Sequence, residues 1–142
     1  MMKTYIVVVC LIYGLYYLGS KNVHGPQDAL VYAQKHPDPK WSPRIDYWVG
    51  MYYYHRGDFP KAQEAFTQLL TDYPTGQYAA DGLQLLGFAA EENHDWAPAK
   101  GALYRYIQEY PDGKERAVVD KKLELIKYHH PGDFGPFPPP KE

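Results

Sequence analysis

Glu91, Glu92, His94 and Asp95 crowd three carboxylates and an imidazole into one short stretch, the side-chain types that general acid and base catalysis uses. Neighbouring residues on a helix point in different directions, so the cluster reads as a solvated helix end and not as a converging site. His129 and His130 could touch a metal, but no carboxylate or third histidine follows them at a ligand spacing. At the end of a helix their partial charge suits the unpaired carbonyls instead. Cys10, the one cysteine, follows Val7, Val8 and Val9 inside an apolar segment. It lacks both the small preceding residue and the longer apolar lead of a lipidation site, and reads as a membrane-buried thiol. A single cysteine excludes haem attachment, and a chain processed after it would have no disulfide, cysteine-based metal site or thiol nucleophile. There is no glycine-rich phosphate loop. No enzyme activity and no cofactor are expected, and a ligand-binding or hydrolytic module built on the acidic and histidine residues is the least supported reading.

Helices would have to position any such groups, and the helices recur. Pro37, Pro74 and Pro111 stand 37 residues apart, each closing an apolar run after Lys35-His36, Asp72-Tyr73 or Glu109-Tyr110. At that offset Gly50 overlies Gly87, Phe59 overlies Trp96, Ala62 overlies Ala99, Phe66 overlies Leu103, Leu70 overlies Ile107 and Tyr73 overlies Tyr110. Small residues recur where two helices must approach closely, and large apolar ones where the next unit must be covered.

Helices are expected from about Gln27 to His36, from the Ser42-Pro43 cap to about Arg56, and from Phe59-Pro60 to just before Pro74. Three more run from about Tyr78 to Glu92, Pro98 to Glu109 and Glu115 to Tyr128. The last sets Lys121, Lys122, Glu124 and Lys127 around Val118, Leu123, Leu125 and Ile126, the wet outer face that a terminal repeat needs.

Val49-Gly50, Tyr53, Ala62, Phe66 and Pro74 fall on the pattern W-x2-L-G-x2-Y, A-x3-F, P, and the chain resembles the tetratricopeptide repeat family. The second unit keeps Leu86-Gly87, Ala99 and Pro111, with Ala90 for the tyrosine and Leu103 for the phenylalanine. Asp46 and Leu83 stand where the pattern has tryptophan. The resemblance covers roughly Pro26 to His130. It implies an all-α, right-handed α-solenoid of stacked antiparallel helix pairs, about two and a half repeats long. The 37-residue period exceeds the usual 34, with the extra residues after the proline at 74–78. Such turns are similar to those of bacterial envelope repeat proteins, including outer-membrane assembly lipoproteins and the periplasmic partner of the Tol-Pal system.

In that family the first helix of each unit lines the concave face. The resemblance assigns Arg44, Tyr47, Met51, Tyr54, Asp81, Gln84, Phe88 and Glu91 to partner binding, with affinity from a Tyr- and Trp-rich surface and orientation from Arg44, Asp81 and Glu91. The alternative for these residues is packing against the N-terminal helix or the tail. Most of the 15 tyrosines and 3 tryptophans are expected to pack in helix seams.

The 142 residues, 45% hydrophobic and 23% charged, suit one small domain with flanking segments. A net charge of −2 leaves no basic footprint for nucleic acid. Residues 1–25 read as a leader: Lys3 precedes an apolar stretch from Tyr5 to Leu18, short of a span of about 20 residues and suited to a secretory signal. Tyr13, Tyr16 and Tyr17 could sit in a membrane interface belt, so the alternative to a cleaved signal, which length and flanks favour, is an uncleaved anchor. Residues 131–142, with five prolines, form an extended tail that either docks or stays untethered. These readings combine into an exported, periplasmic or membrane-tethered adaptor that binds a protein or peptide partner in a cell-envelope complex. The structural alternative is a subunit wedged permanently into a larger membrane or filamentous assembly, strapped by leader and tail.

Overall fold

Six helices follow one another in the computed structural model, which describes residues 25–132: α1 (Pro26–Lys35), α2 (Ser42–His55), α3 (Phe59–Asp72), α4 (Ala79–Glu92), α5 (Trp96–Glu109) and α6 (Arg116–His129). The expected leader and proline-rich tail lie outside the described residues, apart from Gly25, Pro131 and Gly132. Each helix packs chiefly on its neighbours in the chain, so the molecule is an all-α stack of antiparallel pairs with tetratricopeptide-like architecture. Among the described residues there is no strand, and no helix is long and apolar enough to cross a membrane.

The core runs along the seams between helices. Ala62, Ala65, Phe66, Leu69 and Leu70 of α3, Leu83, Leu86, Ala89 and Ala90 of α4, and Ala99, Ala102 and Leu103 of α5 are all buried. The alanines let helix backbones come together while the larger side chains fill the spaces between turns. Val119, Leu123 and Ile126 carry the core onto α6. That stripe differs from the expectation, because Val118 and Leu125 lie on the outer side and are about half exposed. Spacings of four and three keep 119, 123 and 126 on one face, whereas 118 and 125 fall on another.

The turns repeat as strictly as the helices. Within the first full pair, Gly57 adopts φ of 73°, its N–H donates to Tyr54 O, and Asp58 N donates to Tyr53 O. Thirty-seven residues on, His94 adopts φ of 57°, donates to Glu91 O, and Asp95 N donates to Ala90 O. Between units, His36, Tyr73 and Tyr110 each precede a proline and have φ between −133° and −126° with ψ between 63° and 67°. A following proline disfavours helical geometry at these positions, which is why the helices stop there. His130, before Pro131, ends α6 in the same way.

Two ends differ from expectation. α5 begins at Trp96, leaving Pro98 inside its first turn, where the first N–H groups have no partner within the helix and proline costs little. Ser42 is already helical; its Oγ accepts from Asp38 N (2.9 Å), while Asp38 Oδ1 accepts from the N–H groups of Lys40 and Trp41. The cap of α2 is therefore an exchange between Asp38 and Ser42.

Side chains also clasp one pair to the next. Gln63 Nε2 donates to Asp95 Oδ2 (2.8 Å), and Gln63 Oε1 accepts from Asn93 Nδ2 (3.2 Å). One period later Lys100 Nζ donates to His130 O (3.0 Å) and Gly132 O (2.8 Å), holding the end of α6 as Gln63 holds the α4–α5 turn.

Candidate partner-binding face

Helices α2 and α4 open the two full pairs, α6 follows them in the same register, and the three form one side of the stack. Positions 47, 51 and 54 of α2 fall on a single helix face, as do 81, 84, 88 and 91 of α4, so both rows meet across the seam. Tyr47, Met51, Asp81 and Gln84 line a pocket of about 540 Å3, with Tyr106, Lys114 and Glu115 also in its wall. Tyr47 stacks on Tyr78 with ring centroids 4.8 Å apart and planes at 22°. Burial, then the neighbouring Asp81 carboxylate and Tyr78, push the Tyr47 hydroxyl above its ordinary pKa, so it stays a neutral donor.

The other end of the face gathers around Lys122 of α6. Its Nζ pairs with Glu91 Oε2 at 2.8 Å and lies 5.6 Å from the Phe88 ring centroid. Tyr54 belongs to the same group: burial raises its pKa first, then Glu92 and Glu91 raise it and Lys122 lowers it. Tyr54 is braced from behind by Phe59, edge-on at 5.6 Å. Seven of the eight residues expected to bind thus lie on one surface, half-buried apart from the exposed Asp81. Lys122 completes it and was not among them.

Arg44 stands apart. Its guanidinium carbon lies 5.7 Å from the Trp41 ring, and it lines a separate apolar groove of about 570 Å3 with Trp48 and Tyr52, against α1. Helical side chains lean toward the N-terminus, which carries this long one back over residue 41 and away from Tyr47. The tryptophans follow a similar course: Trp41 and Trp48 line the α1–α2 groove, and Trp96 stacks on His130 at 3.6 Å and 9°. The face is rich in tyrosine, not tryptophan.

The acidic and histidine cluster disperses. Glu91 turns to Lys122, Asp95 accepts from Gln63, and His94 occupies the left-handed turn with its ring 5.4 Å from Trp96. Among the described residues no three histidine, cysteine or acidic side chains converge to hold a metal.

Asp46 is the polar residue that sequence reasoning passed over as a site. It is 2% exposed, occupies the position that Leu83 fills one unit later, and its Oδ1 has no hydrogen-bond partner among the described residues. Burial, then the nearby Asp72 carboxylate, raise its pKa from 3.8 to about 6.

A family model described as YfiO, an outer membrane lipoprotein, matches residues 41–120, from the residue before α2 into the first turns of α6. The chain belongs to the YfiO family. The match spans more than half of the sequence and takes in both full helical pairs, together with Tyr47, Met51, Tyr54, Asp81, Gln84, Phe88 and Glu91. Cys10 lies before the matched region and outside the described residues. A search of curated proteins finds no match.

Proposed function

We propose that this chain is a non-enzymatic adaptor of the cell envelope, exported and either free in the periplasm or tethered to a membrane, that holds a protein segment against the α2–α4–α6 face. The observation carrying this reading is the juxtaposition of Tyr47, Met51, Tyr54 and Phe88 with Asp81, Glu91 and Lys122. Half-buried aromatic rings supply contact area at little cost in side-chain entropy, and the flanking charges orient a peptide backbone or its polar side chains. Membership of an outer membrane lipoprotein family supports an envelope setting. Capture of partners from native membranes by the full chain tests the reading. The Tyr47→Ala/Phe88→Ala double variant should retain its helicity and lose the captured protein, and undiminished capture would contradict it.

A second reading, permanent burial in a larger assembly, draws on the exposed apolar residues at both ends of the stack. Trp41, Trp48 and Tyr52 are exposed at one end, and Val118, Leu125 and Tyr128 on the last helix. Under that reading the purified chain associates with itself or unfolds without its complex.

A further inference from the structure

Two successive inter-unit seams are built on the same plan but differ in charge. At the second seam Arg105, 7% exposed, reaches back across the turn: its Nη2 donates to Pro74 O (3.1 Å) and its Nε pairs with Glu109 Oε1 (2.6 Å). One period earlier the equivalents of Arg105, Glu109 and Pro74 are Gln68, Asp72 and Pro37. Gln68 is too short to span the turn and donates only to Asp72 Oδ2 among the described residues. Ser42 and Asp46 replace Ala79 and Leu83.

The result is a pocket of about 560 Å3 in which Pro37, Ser42, Asp46, Gln68 and Asp72 take part, and Asp46 and Asp72 are its charged lining residues. The C-terminal ends of α1 and α3 meet here beside Ser42 at the start of α2, so the negative ends of two helix dipoles and the positive end of one face the pocket. A buried carboxylate oxygen with no donor is costly, and it marks a place where a donor belongs.

We propose that this pocket receives the guanidinium of an arginine side chain from a polypeptide partner, seated between Asp46 and Asp72 where Arg105 sits in the following unit. The molecule supplies its own template for the occupant. Guanidinium has several N–H donors in a planar fork, so it can meet Asp72 and the Pro37 carbonyl together, as Arg105 meets Glu109 and Pro74, and Asp46, whose Oδ1 is covered in this structure, turns its carboxylate outward to join them. An ammonium group presents a compact charge without that fork. The site lies on a different part of the stack from the α2–α4–α6 face, so either assignment can fail alone.

The test is titration of the isotopically labelled full chain in detergent micelles with N-acetyl-arginine amide, following the backbone amides of Asp46, Gln68 and Thr71. Saturable shifts are expected with a Kd on the order of 1 mM, the range open to so small a ligand. The neutral citrulline analogue should bind at least fivefold more weakly, and Asp46→Asn should weaken arginine binding about tenfold. Gln68→Arg should abolish the shifts and raise Tm, because the side chain then fills the pocket from within. Absence of saturable shifts, equal binding of the citrulline or lysine analogue, or an unaffected Asp46→Asn variant would each overturn the assignment.

Discussion

The Cβ that Gly50 lacks would stand 2.6 Å from Cε1 of Phe66, inside the ring's contact distance. One period later a Cβ on Gly87 would meet Leu103 in the same manner, 2.6 Å from its Cγ. In both full units a glycine on the first helix accepts a fully buried apolar side chain of the second, which is the close approach that the repeat register requires.

Alanine at Gly50 should therefore destabilise the chain. Overpacking costs about 1–3 kcal/mol, offset by about 1 kcal/mol of helix propensity gained over glycine, for a net loss of up to about 2 kcal/mol. Gly87→Ala should cost less, because Leu103 can change rotamer whereas the Phe66 ring cannot shrink. Urea denaturation of the two variants checks both the sign and the order.

The paired turns make a reciprocal prediction. Gly57 and His94 share a left-handed backbone, which costs a non-glycine residue about 1–2 kcal/mol. His94→Gly should raise stability by about 0.5–1 kcal/mol after the lost contact with Trp96, and Gly57→Ala should lower it by about 1 kcal/mol. Thermal melts with opposite shifts for the two variants are the expected result.

Asp46 gives the fold a pH dependence of definite sign. With its pKa raised from 3.8 to about 6, the folded chain keeps a proton between those values that the unfolded chain has released. Its contribution to stability is therefore greatest below pH 3.8 and is lost as pH climbs past 6. Replacing it with leucine, the residue of the next unit, should stabilise the chain by up to roughly 3 kcal/mol at pH 7.5, and the gain should shrink steadily toward pH 4. Equal gains at both pH values would show that the carboxylate carries no such penalty.

Lys100 should matter more than its type suggests. Buried to 3% exposure and donating to the carbonyls of His130 and Gly132, it closes the C-terminal end of the stack. Lys100→Met keeps the apolar stem and removes the donor. The expected cost is about 1–3 kcal/mol, with faster hydrogen exchange confined to α6 and its end.

Much of this architecture was legible in the chain because its signals are local and repeated. Proline every 37 residues stops the helices, and glycine and alanine recur where backbones meet, so the six helices followed from spacing, whereas the row of Tyr47, Met51, Gln84 and Phe88 came from the family resemblance laid onto that register. What spacing does not carry is direction. Arg44 keeps the helical register of that face, but its long side chain folds onto Trp41, and the Trp96 stack on His130 joins residues far apart in sequence. The pocket at Asp46 had a signal: a carboxylate in the register position of Leu83 together with glutamine in that of Arg105. Each looks like ordinary repeat divergence until packing brings positions 46, 68 and 72 together.

The central claim, that the first-helix face holds a protein partner, is tested most directly by site-specific photocrosslinking in native membranes. A photoreactive phenylalanine at Met51 or Gln84 faces the proposed binding side, and at Thr67 or Tyr104 it occupies exposed, repeat-equivalent positions on α3 and α5. The account predicts one discrete adduct from positions 51 and 84 and none from 67 and 104. Adducts from 67 and 104 alone, or none from any position, would contradict it.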